Sequence, residues 1–137
     1  MQKGFTLVEI LITLAILTFV VSLATVVDLN SFKTDTAQSE RDKIVSILEK
    51  ARSRAMANFY DSSHGVCYDS GNYIIFKGET CDPSSIETIP ASTDITINFP
   101  TVVFTRLTGD TTSANISLTN DNKSLNIEIN NEGTINW

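Results

Sequence analysis

From Ile10 to Val27 eighteen consecutive residues carry no charge, and Ile, Leu, Val, Phe and Ala fill every position except Thr13, Thr18, Ser22 and Thr25. A helix of that length, rising 1.5 Å per residue, just covers a bilayer core of roughly 30 Å. The hydroxyls fit because each can bond a carbonyl one turn back. Between Asp28 and Thr36 the chain turns to Asn, Ser, Thr and Asp. These residues prefer caps and turns, so helix is expected to be weak there. Helical periodicity returns from Gln38 to Phe59, with Ile44, Ile47, Leu48, Ala51 and Ala55 on one stripe. That spacing predicts an amphipathic helix with one face on a core. Arg41, Lys43, Lys50, Arg52 and Arg54 fall mostly off the stripe, among Glu40, Asp42 and Glu49. The mixture predicts a face turned to solvent or to another protein rather than a nucleic-acid patch.

After Tyr60 the period changes to two, and Gly, Asn, Asp and Ser mark turns. His64 to Tyr68 and Tyr73 to Lys77, joined by Asp69-Ser70-Gly71-Asn72, predict a hairpin. Ile95 to Phe99 and Val102 to Arg106 flank Pro100 as two strands or one broken one. Ala114 to Leu118, Ser124 to Ile129 and Thr134 to Trp137 predict a meander. The fold class is therefore α+β: a long N-terminal helix, apolar then amphipathic, packed on a small antiparallel β head.

Charge sharpens this picture. The chain carries 16 acidic and 10 basic residues, a formal charge of -6. From Ala55 onward ten acids face three bases, Lys77, Arg106 and Lys123. An acidic head repels phosphate, so nucleic acid is not an expected partner. Lys3 flanks the apolar segment and holds that end in the cytoplasm under the positive-inside rule, sending the head outward. Glu9 is the odd residue of the anchor. A carboxylate at the edge of an apolar span costs a few kcal/mol unless it snorkels or pairs. It reads either as a functional acid or as a side chain reaching the interface near the positive pole of its helix.

The run Gly4-Phe5-Thr6-Leu7-Val8-Glu9, behind the basic leader Met1-Gln2-Lys3-Gly4, resembles the processing motif of type IV pilins and type II secretion pseudopilins. The resemblance implies cleavage between Gly4 and Phe5 by a prepilin peptidase, N-methylation of the new Phe5 amine, and stacking of the apolar helices in a filament core. It also decides the role of Glu9. A carboxylate buried among helices is heavily penalised unless neutralised, and the Phe5 ammonium of a neighbouring subunit can neutralise it. Many pilins carry a proline in the membrane half of this helix; here none precedes Pro83. The competing reading is a conventional signal peptide cleaved after Ala24, releasing a soluble β domain. Glu9 inside the would-be apolar region and the helical continuation beyond Ala24 speak against it.

Ala51-Arg52-Ser53-Arg54-Ala55, the Val66-Cys67-Tyr68 and Tyr73-Ile74-Ile75-Phe76 strands, and the ending from Ile127 to Ile135 resemble the H-type minor pseudopilin (GspH/FimT) family. Some of its members bind DNA through basic residues beside the C-terminal Gly. Here Gly133 lies between Glu132 and Thr134, Ile135 and Asn136, which departs from that pattern.

The expected organisation is a leader at 1–4, a transmembrane and filament-core helix at 5–29, a stem helix at 30–60 and an extracytoplasmic head at 61–137. Together these imply a single-pass protein of the cytoplasmic membrane, assembled as a minor pilin or pseudopilin into a pilus or pseudopilus. Its expected partners are prepilin peptidase/methyltransferase, other subunits and the membrane. A head that binds DNA or a surface is the alternative role. Cys67 and Cys81 are the only cysteines. A disulfide between them would stabilise the head by roughly 3 kcal/mol. Two free thiols in a reducing habitat are the other possibility. The two are not cross-strand partners in the expected hairpin. No constellation for an enzyme can be assembled. His64, the only histidine, reads as a surface residue in a polar turn, and there is no CxxC, phosphate loop or HExxH. Neither a metal nor a cofactor is expected. The Asn120-Asp121-Asn122 stretch reads as a turn rather than a calcium loop.

Overall fold

The computed structural model describes residues 4, 6–24, 29–81, 86–120 and 123–137, with helical side chains covered at 6–22 and from 36 onward. The chain divides into two units, Met1–Phe32 and Lys33–Trp137. The first holds helix α1 (Leu7–Ala24), 18 residues with Glu9 in the first turn. Thr6 starts it: its carbonyl accepts Glu9 N at 3.1 Å and Ile10 N at 3.3 Å, and its Oγ1 accepts Glu9 N at 3.3 Å. This is N-capping by a hydroxyl. Helix α2 runs from Leu29 to Met56. It therefore includes the polar stretch expected to resist helix, where the low propensities cost little once the turns that follow are held by packing.

In the second unit α2 lies on two four-stranded antiparallel sheets. The first has the order β3 (Glu87–Pro90), β2 (Asn72–Lys77), β1 (His64–Asp69), β5 (Val102–Phe104). The second runs β4 (Thr96–Asn98), β6 (Ala114–Asn120), β7 (Lys123–Ile129), β8 (Ile135–Asn136). The expected antiparallel head comprises two sheets, and Pro100 separates β4 and β5 into different ones. Strand β3 was not foreseen from the sequence. Its short Glu-Thr-Ile-Pro run has too little alternation to announce itself, and its register is set by β2. The β1–β2 hairpin pairs Asp69 with Asn72 across Ser70 and Gly71, at φ 49° and 79°. A tight turn with both central residues left-handed matches the twist of the flanking strands.

The core explains why these elements hold together. Ile44, Ile47, Leu48, Ala51 and Ala55 are all buried, joined by Ala37 and Val45, against Val66, Tyr73, Ile75, Val102 and Phe104 of one sheet and Ile116, Leu118, Ile127 and Ile129 of the other. Alternation sends Cys67, Ile74 and Phe76 to the opposite face, where they form a smaller cluster with Val103. Gly65 sits opposite Phe76 in the ladder, and any Cβ at residue 65 would overlap that ring. Glycine here lets the aromatic side chain lie across the strand.

Candidate functional site

Every described side chain of α1, from Leu7 to Ser22, is exposed, including Leu7 at 77% and Phe19 at 66%. A helix that is apolar all round must be covered by something other than water. Its hydroxyls are satisfied internally: Thr13 Oγ1 donates to Ile10 O at 2.9 Å, and Thr18 Oγ1 to Leu14 O and Ala15 O at 3.0 and 2.9 Å. Among the described residues no helix is long and apolar enough to cross a membrane. The described side chains of α1 run only to Ser22, a rise of about 24 Å.

Gly4 is exposed, and a Cβ built on it would meet nothing within 4 Å. Neither packing nor a left-handed backbone explains glycine at this position. Phe5 and the stretch Met1 to Lys3 lie outside the described residues. Glu9 is exposed on the first turn of α1, three residues after Thr6. That spacing is the one used in a capping box. Thr6 was missed from the sequence, where the resemblance drew attention to Phe5 and Glu9. The Thr-x-x-Glu spacing was the signal available.

In the head unit the described basic residues of α2 stay exposed or half-exposed, and Lys50, Arg52 and Arg54 reach sideways to bond the strands and turns beside the helix. Lys50 Nζ and Arg54 Nη2 hold the two oxygens of Glu87 at 2.6 and 3.0 Å. These bonds, that from Lys50 foremost, pull the Glu87 carboxyl below its ordinary range despite some burial. Arg52 Nη2 donates to the carbonyl of Glu132 at 3.0 Å. Below Arg52 two glycines meet: Gly133 (φ 72°) lies so close that a Cβ on it would overlap the Gly109 carbonyl, while one on Gly109 (φ 74°) would come within 2.8 Å of Met56. The loop after β5, the turn after β7 and α2 are joined at this point. Leu107 N adds a 3.0 Å bond to Ala55 O, filling a carbonyl at the helix end. Thr134, where a basic residue beside the C-terminal Gly would sit, instead closes the turn through its amide on Asn130 Oδ1 at 2.8 Å.

Glu40 is a second anchor that sequence reading had placed among the surface charges. It is 3% exposed and accepts from Tyr73 Oη at 2.8 Å, Ser92 N at 3.0 Å and Lys43 Nζ at 2.6 Å. Burial works against its ionisation, but the three hydrogen bonds prevail and hold the carboxyl below its usual range. Tyr73 responds in the opposite sense, its phenol pushed far up by burial and by the neighbouring carboxylate.

His64 is fully buried in β1, not on the surface as the adjacent glycine suggested. Pairing with both Lys77 and Phe104 draws it inside the sheet. Cys67 and Cys81 form a disulfide, with Cα atoms 6.1 Å apart. Cys67 faces the smaller cluster and pairs with Ile74 in the ladder, so the bond ties the segment after β2 to the sheet's outer side. No group of three or more His, Cys, Asp or Glu able to hold a metal occurs among the described residues. Asp121 and Asn122 lie outside them.

The arrangement is one of surfaces and anchors: an uncovered apolar helix with a carboxylate near its start, and a head tied to its own helix by the buried Tyr73–Glu40 hydrogen bond and the half-exposed Glu87 ion pairs. That is how a pilin-type filament subunit is built, and residues 1–25 match the prokaryotic N-terminal methylation motif. Residues 40–133 match the model of the type II transport protein GspH. The chain belongs to the GspH family of pseudopilins. Such subunits are structural rather than catalytic. No curated protein and no solved structure matches the chain.

Proposed function

We propose that this chain is a minor pseudopilin or pilin, cut between Gly4 and Phe5, methylated at Phe5 and assembled into a filament through α1. The observation that carries the reading is the apolar, exposed α1 with a single carboxylate, Glu9, close to its start. Gly4 supports the cut from another side. An exposed glycine with open space around it has no role in packing, which suits a residue read by a peptidase. Cleavage leaves an ammonium on Phe5, and the Glu9 carboxylate of a neighbouring subunit answers it when both leave water. Before assembly α1 anchors the chain in the cytoplasmic membrane with the head outside, where the Cys67–Cys81 bond is stable.

Intact mass of the protein made alongside a prepilin peptidase tests this. Loss of Met1 to Gly4 with gain of one methyl group is expected. A chain beginning after Ala24 would instead make it a secreted domain.

A further inference from the structure

The segment joining α2 to β1 is strained and held from several sides. Asn58, Tyr60 and Asp61 all have left-handed backbones, at φ 55°, 57° and 54°. Such conformations are unfavourable for non-glycine residues and persist only when the surroundings impose them. Asn58 Nδ2 donates to Asp61 Oδ1 at 3.3 Å, and Arg106 Nη1 holds both the Asp61 carboxylate and its carbonyl. Tyr60 stacks on His64 with ring centroids 6.5 Å apart, and Lys77 Nζ lies 5.6 Å from the centre of the Tyr60 ring.

His64 is the buried member of this set. Its Nδ1 is 3.1 Å from Ser62 O, an acceptor only, so Nδ1 carries the proton in the neutral ring. Nε2 is then an acceptor, and it is buried without a partner among the described residues. Arg54 Nη1, a donor, is likewise buried without a partner. The charges that act on the ring are Arg54 from α2 and Lys77 from β2. Glu87 on β3 is engaged by Lys50 and Arg54, and Asp61 by Arg106. A proton on Nε2 would therefore turn a buried acceptor into a buried donor, opposed by the charges of Arg54 and Lys77.

We propose that His64 is a pH-sensitive latch: neutral, it supports Tyr60 and holds residues 57–63 in their strained path; protonated, it releases them. Burial, followed by the charges of Arg54 and Lys77, depresses its proton affinity, outweighing the Ser62 carbonyl. The sign follows. The unfolded or opened chain takes up the proton more readily, so the latch is fully closed above the free imidazole pKa of about 6.5 and weakens as pH falls below it. The Glu40 anchor loosens only in the lower, carboxylate range.

Because His64 is the chain's one histidine, a single imidazole resonance reports it. The full chain in detergent micelles, labelled at histidine, is titrated by NMR while amide exchange is followed. The expected result is a midpoint below that of free imidazole, with amides of residues 57–63 losing protection at the same pH and those of the β6–β7 hairpin unaffected. Arg54→Gln moves the midpoint up, and His64→Gln removes the pH step at 57–63. Glu40→Gln leaves that step in place. A midpoint at or above that of free imidazole, an unmoved midpoint in Arg54→Gln, or titration without loss of protection overturns the latch. So does a ring that stays neutral until the whole head unfolds. Should His64→Gln fail to fold, the Arg54→Gln arm decides alone.

Discussion

The Tyr73 hydroxyl donates to Glu40 across 2.8 Å, joining the start of β2 to the first buried turns of α2 through a carboxylate that is almost wholly out of water. Tyr73 also packs against Tyr68 and Phe99, with centroids 5.6 and 5.8 Å away. The bond therefore crosses the core where the β1–β2 hairpin meets the residue that follows β4. Ser92 N and Lys43 Nζ complete the carboxylate's partners, so the connection before β4 is tied to the same atom pair.

Replacing Glu40 by Ala leaves the buried Tyr73 Oη and the half-buried Ser92 N without their acceptor. The expected loss is about 2–4 kcal/mol, measured by urea unfolding at neutral pH. Because the native carboxyl is held below its ordinary value, its contribution is complete above about pH 4.5 and is lost as pH falls through the native value. Glu40→Gln flattens the acid limb of the stability curve. An unchanged acid limb would mean that other carboxylates set it.

Gly133 and Gly71 both have positive φ, but their surroundings differ. Gly71→Ala meets open space and should cost about 1 kcal/mol, the backbone penalty alone. Gly133→Ala must also push against the Gly109 carbonyl, and a loss of more than about 2 kcal/mol is expected. Thermal unfolding of the two variants side by side checks the order. Equal losses would show that the contact with Gly109 is easily relaxed.

Reducing the Cys67–Cys81 bond, or replacing both residues by Ser, should destabilise the head by roughly 3 kcal/mol. The comparison is unfolding with and without reductant. Reductant should leave the double-Ser variant unaffected, and a shift there would point to an effect other than this bond.

Glu9→Ala should abolish or strongly reduce incorporation into filaments while leaving the chain in the membrane, since an apolar side chain is tolerated there but cannot answer a Phe5 ammonium. Filament and membrane fractions of cells carrying the assembly machinery are compared by immunoblot. Normal incorporation would refute the pairing.

Leu48 shows how far local pattern reaches. Its position at i+4 from Ile44 was enough to place both in the core, because a helix turns side chains by a fixed angle whatever lies opposite. The β1–β2 hairpin was legible for the same kind of reason, since Ser70-Gly71 suits a left-handed turn. Glu40 and His64 were misread as surface groups because polarity in a sequence does not say what partner stands across from it. Strand β3 escaped notice because its edges are defined by β2.

The sequence by itself determined what is local to the first unit: Gly4 ahead of Phe5, the acid Glu9 and an uncharged apolar run are all read along one stretch of chain. Tertiary structure alone decided that the head has two sheets and that Glu40 lies under Tyr73. It also decided that Gly133 fits against Gly109 beneath Arg52, and that His64 is buried. The physical reason is distance along the chain. Glu40 and Tyr73 are 33 residues apart, Arg52 and Glu132 80, and a hydrogen bond between such pairs exists only once the sheets have brought them within 3 Å.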